Sequence, residues 1–179
     1  VAQIAILTLN DTATLRANVT NKHNKNTFHA FCDDALADHD AVAIARLLKS
    51  KALSIQEVSE AAISRAKKVE PTINAIAAEC FEKTLSQSSA LGDSYFSGVP
   101  TFIKDNMPVK GLHTHHGTNA IRAKPEKKHG PYTRQFMSLG FTVLGKSTLP
   151  EFGLNATTEP VHTAPTRNPW NIDYSTGAS

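Results

Sequence analysis

The stretch Gly98-Val99-Pro100-Thr101-Phe102-Ile103-Lys104-Asp105-Asn106 ends an apolar, β-rich run on a lysine. An ammonium is costly to bury unless paired, so this lysine has two readings. Its stem can lie along the strand while its head reaches water or neighbouring Asp105. Alternatively it sits in a partly dry site, is neutral and accepts a proton. Bringing a lysine from about 10.4 to about 7–8 removes roughly 3–5 kcal/mol of charged-state stability, which a folded core can supply.

Two further stretches invite chemistry. Gly177-Ala178-Ser179, preceded by Arg167-Asn168-Pro169-Trp170, is a run of small residues. Such residues let the backbone approach a substrate and aim donors at a developing oxyanion, although Gly/Ser loops also serve as plain linkers. Gly145-Lys146-Ser147, with Gly140 five residues earlier, spells a phosphate loop. That loop follows a strand and opens a helix, whereas Phe141-Thr142-Val143-Leu144 is itself the strand here, so no nucleotide site is expected. His113, His115 and His116 could place two imidazoles on one strand face, but no third ligand has suggestive spacing. They read as loop histidines, with no metal.

These groups need a framework. Asp40 is an N-cap candidate for a helix whose stripe is Val42, Ala45, Leu47 and Leu48. Ser54, with Glu57 three residues on, forms a capping box for a second helix carrying Ile55, Val58, Ala62, Ala66 and Val69; Pro71 is expected to end it. Ile73–Ala78 reads as a short buried strand, followed by a helical stretch to about Ala90 and a loop at Gly92. Val99–Ile103 is an edge or irregular strand because Pro100 lies within it. Residues 107–130 read as loop. Pro131 opens a helix to about Leu139, with Gly140 as C-cap. Phe141–Leu144 is a strand closed by Gly145, and past Thr157 the chain turns to loop. Strand–helix–strand alternation predicts an α/β layered domain. Residues 1–30 read as an N-terminal extension with one short helix, and residues 31–179 as the domain portion.

Composition sets bounds. At 40% apolar and 20% charged, 179 residues suffice for a domain with a buried core. A formal charge of +3, with both signs interspersed, speaks against nucleic acid; Lys124, Lys127, Lys128 and His129 read as a solvated loop. No apolar run is long enough to span a membrane, and Val1–Leu9 lacks the flanks of a signal peptide. Val1 in place of methionine reads as a trimmed start. The N-x-S/T spellings at Asn10, Asn18 and Asn155 decide nothing. Cys32 and Cys80, far apart, read by default as free thiols in a reducing compartment, with a single disulfide as the alternative; the cytoplasm is the default and the periplasm or exterior is left open.

Taken together, several segments resemble the amidase signature family. They are Ser54-Ile55-Gln56-Glu57-Val58 through Arg65, Ile73-Asn74-Ala75, Gly98-Val99-Pro100, Ile103-Lys104-Asp105-Asn106, Val109-Lys110-Gly111, Gly145-Lys146-Ser147, Glu151-Phe152 and Asn168-Pro169-Trp170-Asn171. The similarity runs from about Asp40 to Ser179. It implies the N-terminal part of an α/β/α enzyme with a mixed central sheet, hydrolysing amides without cofactor or metal. Lys104 would match the family's neutral lysine, the ultimate base. Ser179 would match the serine in a cis peptide that relays the proton. A second serine, the nucleophile, lies beyond Ser179 and forms an acyl-enzyme that water hydrolyses. Ala178 departs from the family, which commonly has a second glycine there.

The resemblance implies a small amide substrate, the remaining C-terminal part of the enzyme as structural partner, and no nucleic acid or membrane; a homodimer stays open. This segment alone is expected to be inactive. Thr157-Thr158-Glu159-Pro160 and Leu149-Pro150-Glu151-Phe152 favour a stand-alone amidase. The alternatives are the amidase subunit of a tRNA-dependent glutamine amidotransferase and a non-catalytic amidase-derived module.

Overall fold

The computed structural model describes residues 26–87 and 92–177. Helix α1, Ala41–Lys49, starts where Asp40 caps it: the carboxylate accepts the Ala43 N–H at 2.7 Å. Its apolar stripe buries Ile44, Ala45 and Leu48. Helix α2, Ile55–Ile73, opens on the expected capping box. Glu57 N–H donates to Ser54 Oγ at 3.2 Å, and Ser54 N–H donates to Glu57 Oε2 at 2.8 Å. The helix does not stop at Pro71 but runs to Ile73, and Asn74 ends it at φ 51°. A proline in the last turn removes one N–H bond, to the carbonyl of Lys67, an exposed residue that water can serve.

Because α2 takes Ile73, the first strand starts later than expected. Strand β1 is Ile76–Glu79, α3 is Phe81–Gln87, β2 is Pro100–Lys104, α4 is Pro131–Met137 and β3 is Thr142–Ser147. The sheet runs β1-β3-β2, with β1 antiparallel and β2 parallel to β3. The mixed α/β architecture expected from the sequence is therefore present. Pro100 opens β2, which among the described residues lies at the end of the strand order, where its missing N–H costs no ladder bond. The helix expected to reach Ala90 is α3, and residues 88–90 lie outside the described residues. Helix α4 ends at Met137, capped by Ser138, two residues short of Leu139.

Gly145 does not close β3; it lies within it. A Cβ there would sit 2.3 Å from the Ala78 carbonyl oxygen, so glycine is what lets β1 approach. Segment 107–130 is loop as expected, with one bridge between Lys110 and Glu126. The loop expected past Thr157 instead contains a hairpin, β4 Arg167–Asn168 and β5 Asn171–Ser175. Phe28 N–H donates to Pro169 O and Ile172 N–H to Asn26 O, tying the earliest described residues to it.

Two apolar clusters hold the layers together. α1, α2 and the entrance to β2 share Ile44, Ala45, Leu48, Ile55, Val58 and Val99. Further along α2, Ile63 meets Phe81 and Leu144 under the sheet, with Phe102 packed alongside.

Candidate active site

Lys104 is the last residue of β2 and is half-buried. Its register partner is Ser147, while Ile103 pairs with Lys146. Since side chains alternate along a strand, Lys104 and Ser147 project from one face and Ile103 and Lys146 from the other. The alternative in which Lys104 pairs with Asp105 is not what the structure shows, since Asp105 binds Lys146. Among the described residues the Lys104 amine makes no hydrogen bond or ion pair.

Asp105 is taken by another lysine. Lys146 Nζ lies 2.7 Å from Asp105 Oδ1, 2.8 Å from His113 O and 2.9 Å from Thr114 Oγ1, so three acceptors meet the three donors of an ammonium. Both side chains are closed to solvent, at 0% and 2% exposure. Burial pushes the Lys146 ammonium below the usual lysine range, while the bond to Asp105 works against that. Asp105 also accepts the His115 N–H on its carboxylate and the His116 N–H on its carbonyl. In the sequence Lys146 stands out only within the Gly145-Lys146-Ser147 segment, as a phosphate-loop spelling and as part of the family resemblance, with no role of its own. The signal used for Lys104, a lysine closing an apolar strand, was present at Lys146 too.

The histidine loop thus serves through its backbone. His113 and His115 stack at 5.7 Å between ring centroids, and no three metal-ligating side chains converge among the described residues. His116 and Phe152, both at positive φ, stack at 6.4 Å, and Phe152 N–H donates to His116 O at 2.8 Å. Between them Gly117 passes so close to Leu149 that a Cβ would lie 2.5 Å from its carbonyl oxygen. Thr118 hydrogen-bonds the Glu151 carboxylate.

Ser179 and Ala178, including the expected cis bond, lie outside the described residues. The chain leading to them is anchored. Thr158 Oγ1 donates to Gly177 O at 2.8 Å, and Thr176 N–H donates to Thr166 O. Thr166 gives its own hydroxyl proton to Asn74 O at 2.7 Å, so the 2.8 Å contact with Thr148 has Thr148 as donor. Thr148 directly follows Ser147, the register partner of Lys104. Two open depressions on the surface, one along 121–128 and one beside Glu70 and Phe81, are not lined by Lys104.

Comparison with known proteins gives the family. A profile of the Amidase family matches residues 57–179. The protein AmiC of Mycobacterium bovis is 45% identical over 154 residues, covering 84% of this chain and 32% of its own. The 6-aminohexanoate-cyclic-dimer hydrolase of Paenarthrobacter ureafaciens is 39% identical over 145 residues, covering 78% of this chain and 29% of its own. A solved structure of 6-aminohexanoate cyclic dimer hydrolase superposes with a TM-score of 0.73 at 33% identity, over 79% of this chain and 30% of that one. A bacterial aryl acylamidase of the amidase signature family gives 0.73 at 27% identity, over 79% and 31%. The chain spans about a third of the length of the curated relatives it matches.

Proposed function

This chain belongs to the amidase family, and from that premise we propose that it supplies the lysine end of an active site hydrolysing C–N amide bonds in a longer enzyme. Lys104, as the free amine, takes a proton from the Ser179 hydroxyl. Ser179 in turn takes one from a nucleophilic serine outside these 179 residues. That serine's oxygen adds to the amide carbonyl, and the amine leaves carrying a proton returned through the same relay. Water then hydrolyses the acyl-enzyme by the reverse sequence of transfers. The substrate is a small amide, and no cofactor takes part. This segment by itself is inactive, because the nucleophile is supplied elsewhere.

One observation carries the reading: Lys104 is half-buried at a strand end and its obvious partner, Asp105, is already bound to Lys146. A lysine whose amine has no partner among the described residues is available to exchange protons. The bonds from Thr158 to Gly177, from Thr176 to Thr166 and between Thr166 and Thr148 connect the chain at Gly177 to the end of β3, beside Ser147, the register partner of Lys104. A second reading, the amidase component of an amidotransferase, has support in 31% identity to the A subunit of the glutamyl-tRNA(Gln) amidotransferase of Lachnoclostridium phytofermentans. Hydrolysis of a simple amide without glutamine or a partner protein favours the stand-alone enzyme.

The test is kcat of the complete enzyme with Lys104→Arg. Arginine keeps its proton at any working pH and cannot act as base. If the variant keeps more than about a tenth of wild-type kcat, less than about 1.4 kcal/mol was lost and Lys104 is not the base.

A further inference from the structure

We propose that the buried Lys146–Asp105 pair is a positioning device for Lys104, fixing the sheet face from which it projects. This rests on the reading of Lys104 as the base. The need for such a device follows from the ladder. Among the described residues β2 pairs with β3 alone, and that pairing is interrupted between Thr101 and Phe102, where β3 carries one extra residue, Leu144. A bulge of this kind resets the pairing by one residue. A one-residue slip exchanges the two faces of a strand, which would turn Lys104 toward the Ile103 side. Past the bulge, Phe102, Ile103 and Lys104 remain to hold the register.

Asp105, the next residue, pins it. Its N–H extends the ladder to Ser147 O at 3.0 Å, and its carboxylate binds Lys146 at 2.7 Å on the face opposite Lys104. With Asp105 held on that face, alternation leaves Lys104 on the other. Lys146 stands on the rung beside it, opposite Ile103, so pin and base are neighbours in one ladder. The same two charges draw in the loop that crosses the end of β2, through His113 O, Thr114 Oγ1 and the His115 N–H. An apolar pair of equal volume often stabilises a fold as well as a buried ion pair does. What it lacks is direction: apolar contacts do not specify which face Asp105 occupies.

The experiment compares four variants of the complete enzyme by kcat, KM and Tm. Lys146→Met leaves Asp105 buried and unpaired, and both Tm and kcat should fall. Lys146→Met with Asp105→Leu removes both charges. Its Tm should return to within a few degrees of wild type, while kcat stays down by about tenfold or more with KM little changed. Asp105→Glu keeps the charge and shifts the carboxylate by one methylene; its kcat should also fall by about tenfold. Recovery of kcat together with Tm in the double variant would make the pair a core filler and overturn the proposal. So would Asp105→Glu with kcat within about threefold of wild type, a result that stands even if the double variant does not fold. Lys104→Ala serves as the separate control: wild-type turnover there overturns the base assignment, and the positioning role with it, independently of the other three.

Discussion

Lys104 and Lys146 occupy adjacent rungs of one ladder, yet their surroundings differ in every respect that matters to an ammonium. Lys146 is shut from solvent and saturated by a carboxylate, a carbonyl and a hydroxyl. Lys104 is half-buried and, among the described residues, has no partner for its amine. The difference teaches that burial by itself is a poor guide to a reactive lysine. A buried lysine with every donor occupied is committed to structure, because freeing it exposes an uncompensated charge to a dry interior. A lysine at a strand end with its donors free can gain and lose a proton without unravelling its surroundings.

The widest separation between the two lysines should come from truncation. In the complete enzyme Lys104→Ala is expected to lower kcat by about 10²–10⁴, roughly 3–5 kcal/mol at the transition state, with unfolding free energy changed by less than about 0.5 kcal/mol. Lys146→Met should show the opposite emphasis in chemical denaturation, losing about 3–5 kcal/mol of stability because Asp105 stays buried without its partner. A urea midpoint lower for Lys104→Ala than for Lys146→Met would break the comparison.

Gly145 sharpens it at smaller scale, because it precedes Lys146 and sets the distance between β1 and β3. Gly145→Ala forces a Cβ against the Ala78 carbonyl, 2.3 Å away, and should cost about 1–3 kcal/mol by overpacking. Thermal melts check this. An unchanged Tm would mean that the strands part freely there and that Lys146 is held by its polar partners alone.

The smallest effect is expected far from both lysines. Arg65 donates to the Asp34 carboxylate and to the carbonyls of Cys32 and Ala37. Its side chain beside Asp34 holds that carboxyl well below the usual carboxylate range, although burial pulls the other way. A folded-state value depressed in this way adds stability that is fully present above about pH 4 and is lost as pH falls toward the folded value. Asp34→Asn should therefore lower stability at pH 7 by about 1 kcal/mol and flatten its decline on the acid side. Denaturation at several pH values between neutrality and acid measures it. An acid limb as steep in the variant as in wild type would assign that limb to other groups.

Much of the framework was legible along the chain because its causes are local. Asp40 and Ser54 announce helix starts through hydrogen bonds spanning three residues. Pro100 announces an edge or irregular strand through the N–H it lacks, and the strand that it opens carries a register shift after Thr101. The ordered segments from Ser54 to Asn171 were sufficient to indicate the amidase family, now matched over 57–179. What escaped sequence reasoning depended on partners distant in the chain. Pro71 reads as a stop, yet the lost bond falls on an exposed last turn, and Glu70 receives the Ala75 and Ile76 N–H groups beyond it. Gly145 reads as a strand end, but the neighbouring strand makes it a point of close approach inside β3. The run past Thr157 reads as loop, whereas β4 and β5 pair there and accept residues 26–28 alongside.

The two lysines mark the boundary most clearly. Residue types and spacing were enough to place Lys104 at the close of an apolar strand, and its proposed role as base comes from the family resemblance. They could not say whether Asp105 served Lys104 or another cation, since adjacent residues in a strand point to opposite faces and a carboxylate binds whatever faces it. Only the parallel pairing of β2 with β3 set Lys146 opposite Ile103 and within 2.7 Å of Asp105, leaving Lys104 without a partner among the described residues. Register is decided by the packing of the whole sheet, and no window of neighbouring residues contains it.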